Sequence, residues 1–221
     1  MKEENKKSAS MIFSARMSSL NVAMLYSFML KRIAKGYSTS EISFLMGYTT
    51  DFIKQKEELK SIGFSFEDIH CFKQAMEEQS LRAFAPGYEN QNYTADYLLI
   101  KQVEGPGIHI KMLRIAEDQS ETLMFQLLEE NPAYARHQTI NQENAALARA
   151  IMKVLFEGRL FYTPQMPLTI YQRCRSAVGS ENIDPKHVQA ALSELSNKKD
   201  FPRLKRIRSK EYGCMYEKVF E

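Results

Sequence analysis

The stretch KGYSTSEISFLMGYTTDFIKQKEE, from Lys35 to Glu58, indicates two short helices joined by a glycine turn. Ser38 is a favourable N-cap for the first helix, and Glu41 three residues later completes a capping box. Gly47 can adopt the left-handed conformation that ends this helix. The pattern therefore predicts a short, well-capped helix followed directly by a tight turn.

The second helix of this stretch is expected to begin at Thr49 or Thr50, with Phe52 and Ile53 turned inward. Polar side chains then lie on its outer side, near its N-terminus. Hydrogen-bonding groups in that position suit a helix placed in the DNA major groove, where they reach base edges. The candidate DNA-contacting residues of this stretch are Thr39, Thr50, Asp51, Lys54 and Gln55.

Without a gap, residues 36–58 resemble the lambda-repressor-like (Cro-type, XRE) helix-turn-helix family. The matching positions are Gly36, Tyr37, Ser38, Glu41, Ile42, Met46, Gly47, Tyr48, Thr49, Ile53 and Glu57. The resemblance implies a compact helical bundle, with residues 22–35 as the preceding helix and residues 66–82 as a later one. It also implies sequence-specific binding of double-stranded DNA.

Three positions depart from the family pattern. Ser43 replaces the small alanine that lets the two helices approach each other. Phe44 stands where the family usually exposes a charge, so it either packs against another domain or marks a contact surface. Lys56 stands where the family buries an aliphatic side chain.

The composition is typical of a folded, non-secreted protein. With 221 residues, of which 44% are hydrophobic, the chain can bury a core in one to three small domains. No apolar run reaches the length of a membrane span, and the polar N-terminus lacks a signal-peptide core, so we expect a cytoplasmic protein without a membrane partner. Cys71, Cys174 and Cys214 are too far apart for metal-knuckle spacing and do not indicate a disulfide framework.

The charges are distributed unevenly along the chain. Residues 1–81 contain 11 basic and 10 acidic side chains, and residues 82–141 contain 5 and 8. Residues 142–221 contain 14 basic and 9 acidic side chains. Attraction to nucleic-acid phosphates is therefore expected mainly from the C-terminal part.

Periodicity along the chain predicts a mainly α protein with a small antiparallel β-segment. Residues 1–15 are expected to be a flexible tail, residues 16–85 a helix-turn-helix bundle, residues 86–140 a β-meander with linker, and residues 141–221 a winged-helix-like domain.

The β-meander is predicted to have three strands, at residues 93–103, 108–116 and 122–128. Ile108, Ile110 and Met112 alternate with His109 and Lys111, as expected for a sheet with one wet face. A meander this small needs a cover. Residues 93–128 are thus a candidate homodimer surface, and packing on the chain's own helices is the alternative.

The C-terminal part resembles a winged helix in the order of its elements. Helices are predicted at residues 145–157, at 168–178 and from Asp184-Pro185 onward, with a short strand at 159–162 and a hairpin at 203–220. The third helix would enter the major groove and the hairpin would contact the backbone. The corresponding residues are Lys186, His187 and Gln189 on the helix, and Arg203, Lys205, Arg206, Arg208 and Lys210 on the hairpin. Nucleic-acid binding and protein assembly both remain open for this domain.

Signals of enzyme chemistry are missing from the sequence. The four histidines do not pair at metal-ligand spacing, and no GxGxxG, GxxxxGK or GxSxG motif occurs. We therefore expect a non-enzymatic protein without cofactor or metal, which binds double-stranded DNA as a transcriptional regulator. The alternative is a non-catalytic interaction or scaffold protein built on helix-turn-helix folds without DNA contact.

Overall fold

The computed structural model describes residues 9–80, 93–132, 138–179, 183–209 and 213–221. The elements in chain order are β1 (Ala9–Ser18), α1 (Ser19–Ala34), α2 (Thr39–Leu45), α3 (Phe52–Glu57), α4 (Phe66–Ala75), β2 (Thr94–Glu104), β3 (Gly107–Ile115), β4 (Glu121–Glu130), α5 (Gln138–Glu157), a 3-10 turn (Leu160–Tyr162), α6 (Pro167–Val178), α7 (Pro185–Ser196), β5 (Arg203–Ser209) and β6 (Gly213–Val219).

Two compact units make up the chain. The sheet unit comprises Met1–Tyr37 and Lys54–Arg136, and the hairpin unit comprises Ser38–Ile53 and His137–Glu221. Helix α2 and the start of α3 therefore group with the C-terminal residues, and the boundary between the two units falls within α3.

The sheet unit is built on four antiparallel strands in the order β1-β2-β3-β4. Alternation along the strands assigns one set of side chains to an inner face, among them Leu99, Ile110 and Met112, which are all fully buried. The register aligns Leu99 with Met112, and Met112 with Phe125 on the next strand. The three strands predicted at residues 93–128 are confirmed as β2, β3 and β4.

Helix α1 covers the inner face of this sheet. Val22, Leu25 and Met29, at helical spacing, are buried in one cluster with the inner side chains of the four strands. Burial of each such side chain stabilises the fold by about 1.5–3 kcal/mol. A second side of α1 carries Phe28, whose ring stacks on Phe64 and Phe72 with centroid distances of 4.1 and 4.0 Å.

A buried charge also ties α1 to the sheet unit. Arg32 is 1% exposed and makes two hydrogen bonds to Glu57, at 2.6 and 3.0 Å, and two to Glu129, at 2.7 and 3.1 Å. A fifth bond reaches the carbonyl oxygen of Tyr37 at 2.7 Å. Burial acts to lower the pKa of Arg32, but the carboxylates of Glu57 and Glu129 outweigh it and raise the pKa above its ordinary value.

The hairpin unit buries α5, α6 and α7 against one another. Val188, Ala191 and Leu192 form the buried stripe of α7 that the sequence predicts. Asp184 is its N-cap and Pro185 lies in its first turn, as expected. β5 and β6 form an antiparallel hairpin, and β6 also pairs with Gln165 through a single bridge.

The predicted fold class is wrong. The structure is α/β, with 45% of the described residues helical and 29% in strands, rather than mainly α with an N-terminal helix-turn-helix bundle. Residues 9–15, predicted as part of a flexible tail, belong to β1, because their backbone completes the edge of β2 from Ala9 opposite Val103 to Ser18 opposite Thr94. Helix α1 packs on that sheet, so it does not form the expected bundle.

A smaller error concerns residues 159–162, which were predicted as a strand and instead form the 3-10 turn. Phe161 is fully buried there, and the Tyr162 backbone N–H donates to the Arg159 carbonyl oxygen at 3.2 Å, which closes the turn locally. The predicted boundary at residue 85 lies outside the described residues, and the one at residue 140 falls within α5.

The homodimer through residues 93–128 stays a prediction, for which sedimentation is the measurement. The inner face is covered by α1, and Ile110 is fully buried there. The exposed apolar side chains of this segment are Leu123 and Leu128, at 55% and 60%. Within the described ranges, no helix is long and apolar enough to cross a bilayer.

Replacing Arg32 with Met should destabilise the sheet unit by about 3–5 kcal/mol, because Glu57 would remain as a buried carboxylate without its main partner. The matched control is Arg16→Met, which removes an exposed ion pair to Asp96 and should cost only about 0–1 kcal/mol. Urea unfolding followed by circular dichroism measures both. Equal losses in the two variants would contradict the assigned role of Arg32.

Candidate nucleic-acid interface

The predicted capping box opens α2 as expected. The side-chain oxygen of Ser38 accepts a hydrogen bond from the Glu41 backbone N–H, and the Ser38 backbone N–H donates to the Glu41 carboxylate at 2.8 Å. Gly47 has a φ of +77°, which confirms the left-handed turn after the helix. Local sequence alone therefore accounts for the shape of this segment.

Ser43 connects α2 to the start of α3. Its hydroxyl donates to the Thr39 carbonyl oxygen at 2.7 Å and accepts from the Ile53 backbone N–H at 3.0 Å. The hydroxyl thus satisfies an otherwise unpaired N–H group at the start of a helix. This departure from the family pattern therefore holds the two helices together at that point.

Helix α2 docks within the hairpin unit through its two ends. The Lys186 backbone N–H donates to the Glu41 carboxylate at 3.2 Å, at the start of α7. The Cys214 backbone N–H donates to the Gly47 carbonyl oxygen at 2.6 Å, at the start of β6. A Cβ on Gly213 would lie 2.5 Å from that same oxygen, so only glycine fits at this position.

These contacts bring together the turn after α2, α7 and the hairpin, which the sequence predicts to be parts of two separate DNA-binding regions. Residues 49–51, α7 and the hairpin belong to one unit. Nothing in the local sequence signals this, since the key contact joins Gly47 to Gly213 across most of the chain. Gly47 and Gly213 both have a positive φ, +77° and +68°, but so do several other turn glycines, and φ alone does not indicate which of them meet.

The predicted contact residues around α2 differ in accessibility. Thr50 and Asp51 are exposed in the hairpin unit, and Thr39 is half-buried in the first turn of α2. Lys54 and Gln55 are also exposed but belong to the sheet unit, where Lys54 lies 3.8 Å from Glu58. The structure therefore does not place these five residues in one unit.

The other two departures from the family pattern lie in different units. Phe44 is 4% exposed and packs inside the hairpin unit, so it is not an exposed contact surface. Lys56 is half-buried in the sheet unit, where its Nζ donates to the Gly63 carbonyl oxygen at 2.6 Å and lies over the Phe64 ring. Its aliphatic stem covers apolar surface as an aliphatic residue would.

On α7, only part of the predicted outer side is open. Lys186 is exposed and lies 3.1 Å from Asp184, and Gln189 is half-buried. His187 is 5% exposed, and its Nδ1 accepts the Asp184 backbone N–H at 3.2 Å. The prediction that His187 lies on the outer side is wrong, because the imidazole takes the place of Glu or Gln in a capping box.

The hairpin carries a dense group of cations. Lys205, Arg206 and Arg208 are exposed, and Arg203 is half-buried with its guanidinium 4.8 Å from the Phe201 ring. Nε of Arg206 also lies 2.6 Å from the Cys214 sulfur across the hairpin. Among the described residues, none of these four cations has a carboxylate within ion-pair distance. Lys210 lies outside the described residues.

The described part of the chain offers no site for a metal ion made of three or more His, Cys, Asp or Glu side chains. The three cysteines are free thiols. Burial raises the pKa of Cys174 to about 12, so this thiol stays protonated at neutral pH and is a poor nucleophile.

Comparison with known proteins gives no relative. No protein-family model matches the chain, and neither a curated protein nor a solved structure does.

His187 should make the hairpin unit less stable at mildly acidic pH. Burial lowers the pKa of His187 and, together with the charge of Lys186, outweighs the carboxylates of Asp184 and Glu41, which act to raise it. Between that pKa and the ordinary value near 6.5, the unfolded chain binds a proton that the folded chain does not, so stability falls as the pH drops below about 6.5. One such group contributes a slope of at most about 1.4 kcal/mol per pH unit.

Urea unfolding from pH 7.5 to 5.0 measures this slope. His187→Gln keeps an acceptor for the Asp184 backbone N–H and should flatten the slope, whereas His70→Gln, at an exposed position, should keep the parent slope. An unchanged slope in His187→Gln would rule out this histidine as the source.

Proposed function

We propose that this protein binds double-stranded DNA through its hairpin unit, as a sequence-specific transcriptional regulator. The observation that supports it is the group of cations on β5 without carboxylate partners among the described residues. In the same unit, Thr50, Asp51 and Lys186 are exposed.

Electrostatics supports contact with phosphates. Some cations elsewhere in the hairpin unit are close to carboxylates: Arg149 lies 2.8 Å from Glu194, and Lys153 lies 4.0 Å from Glu157. The charges of β5 remain available for a polyanion, and residues 142–221 have an excess of basic over acidic side chains. Each phosphate neutralised contributes about 0.9 to the salt slope of binding.

Base reading is assigned to side chains that are exposed near helix N-termini. Lys186 lies in the first turn of α7, and Thr50 and Asp51 lie just before α3. Membership of the lambda-repressor-like family is part of this proposal. The resemblance would add Lys54 and Gln55 as readers, but both belong to the sheet unit, so they are left out of the hairpin-unit interface. A bacterial or phage-type regulator is part of the same proposal, and its location would then be cytoplasmic, where bacterial DNA lies.

A second candidate is a non-catalytic interaction protein without DNA contact. Exposed apolar side chains on the outer face of the sheet favour it: Ile12, Leu123 and Leu128 are 62%, 55% and 60% exposed. Binding to duplex DNA, measured as a function of salt, separates the two candidates.

Neutralising two hairpin cations should weaken binding to any duplex. Lys205→Gln with Arg208→Gln should lower the slope of log K against log salt by up to about two units. The control pair is Arg159→Gln with Arg173→Gln, two exposed cations of the same unit outside the hairpin. Fluorescence anisotropy on a labelled duplex measures both, and equal slopes in the two double variants would exclude the hairpin from the phosphates.

Base-reading residues should affect sequence preference as well as affinity. A preferred site is first selected from random duplex DNA with the parent protein. Lys186→Ala and Thr50→Ala should then each cost about 1–3 kcal/mol on that site and relax the preference at one position. Gln126→Ala, at an exposed position of β4, is the control. If no preferred site emerges, or if all variants keep the parent preference, the protein does not read bases with these residues.

A further inference from the structure

A cleft of about 640 Å³ lies in the hairpin unit between α5, α7 and the open end of the hairpin, where β5 begins and β6 ends. Its apolar lining includes Met152, Phe156 and Leu195. This volume lies within the range of about 300–1,000 Å³ that is typical of small-molecule sites. The cleft is therefore large enough for a ligand with an aromatic ring system.

The charged residues of the cleft are not all neutralised. The two acidic residues that line it, Glu194 and Glu157, lie next to Arg149 and Lys153. Lys198 and Lys218 also line the cleft, and neither has a carboxylate partner among the described residues. Two ammonium groups are thus left without a counter-charge beside an apolar surface.

These two ammonium groups share one aromatic neighbour. Nζ of Lys218 lies 4.5 Å from the centre of the Phe156 ring, and Nζ of Lys198 lies 5.5 Å from it. Lys218 also donates to the Phe156 carbonyl oxygen at 2.8 Å, which fixes its position at the end of α5. Charge-assisted hydrogen bonds from ammonium groups are stronger than hydrogen bonds between neutral groups, so these two lysines favour an anionic ligand.

We propose that this cleft binds a small organic anion with an apolar, ring-sized body and a carboxylate group. The apolar body would contact Met152, Phe156 and Leu195, and the carboxylate would lie near Lys198 and Lys218. An uncharged analogue of the same shape would lose the charge-assisted bonds and bind more weakly.

The cleft adjoins the open end of the hairpin, where β5 begins and β6 ends. Pro202 lines it and directly precedes β5, and Lys218 lies in β6. An anion bound there adds negative charge beside the cationic hairpin and would weaken its attraction to phosphates. This regulatory step rests on the proposed DNA binding, and by linkage DNA would weaken the anion to the same extent.

The binding step is tested without DNA, on the full chain, with 2-naphthoate as the probe and uncharged 2-naphthamide as its counterpart. Titration calorimetry, with amide shifts in NMR spectra of labelled protein, should give saturable binding of 2-naphthoate and at least about tenfold weaker binding of the amide. No saturable binding of 2-naphthoate up to 10 mM, or equal affinity for both compounds, overturns the proposal.

Matched variants locate the site. Lys198→Gln should weaken 2-naphthoate at least about fivefold, whereas Lys199→Gln, at the exposed neighbouring residue outside the cleft, should leave it unchanged. Leu195→Trp, which fills the cleft, should weaken both compounds. Equal effects of the two lysine variants overturn the site. Lys198 is replaced rather than Lys218, because Lys218 also bonds the Phe156 carbonyl oxygen at the end of α5.

The regulatory step is tested separately, by DNA binding with and without 2-naphthoate in the parent protein and in Lys198→Gln. Weaker DNA binding in the parent alone supports it. An anion that binds without changing DNA affinity overturns the regulatory step only, and a protein that binds the anion but no DNA overturns the proposed function while the site stands.

Discussion

The guanidinium of Arg32 is a buried cation, and its need for carboxylates constrains where the elements of the sheet unit can lie. Glu57 at the end of α3 and Glu129 on β4 must both reach the same face of α1, since an unpaired buried charge costs several kcal/mol. Five hydrogen bonds at fixed angles allow little variation in how α1 crosses the sheet. Apolar packing of the buried cluster that includes Leu25 and Met29 stabilises the unit, and Arg32 makes one arrangement of that packing preferable to others.

The hairpin unit depends on a different constraint, the close approach of two backbones at Gly47 and Gly213. Because Gly213 has no Cβ, the turn after α2 can lie directly against the start of β6. This contact brings a segment from the first quarter of the chain to the cationic hairpin near its end. The proposed function depends on it, since exposed turn residues and phosphate-binding charges can serve one ligand only if they lie in one unit.

Much of the candidate site is visible in local sequence. The cations of β5 and the caps at Ser38 and Asp184 depend on neighbours within a few residues, and the structure confirms both caps. The orientation of His187 was not predictable in this way, because its side chain could either face solvent or cap its own helix. The cleft beside Phe156 was not predicted either, because Lys198 and Lys218 lie twenty residues apart in the sequence and come together only at the Phe156 ring of α5.

By itself, the sequence determined the short-range features: helix caps, glycine turns, the three strands of the meander and the hairpin. Each depends on backbone preferences and on hydrogen bonds between close neighbours, which a few residues specify. Only the tertiary structure decided that residues 9–18 form a strand, because that segment is ordered by its ladder with β2. It alone also decided that Ser38–Ile53 groups with the C-terminal residues, since the contacts of Glu41 and Gly47 lie more than a hundred residues away along the chain.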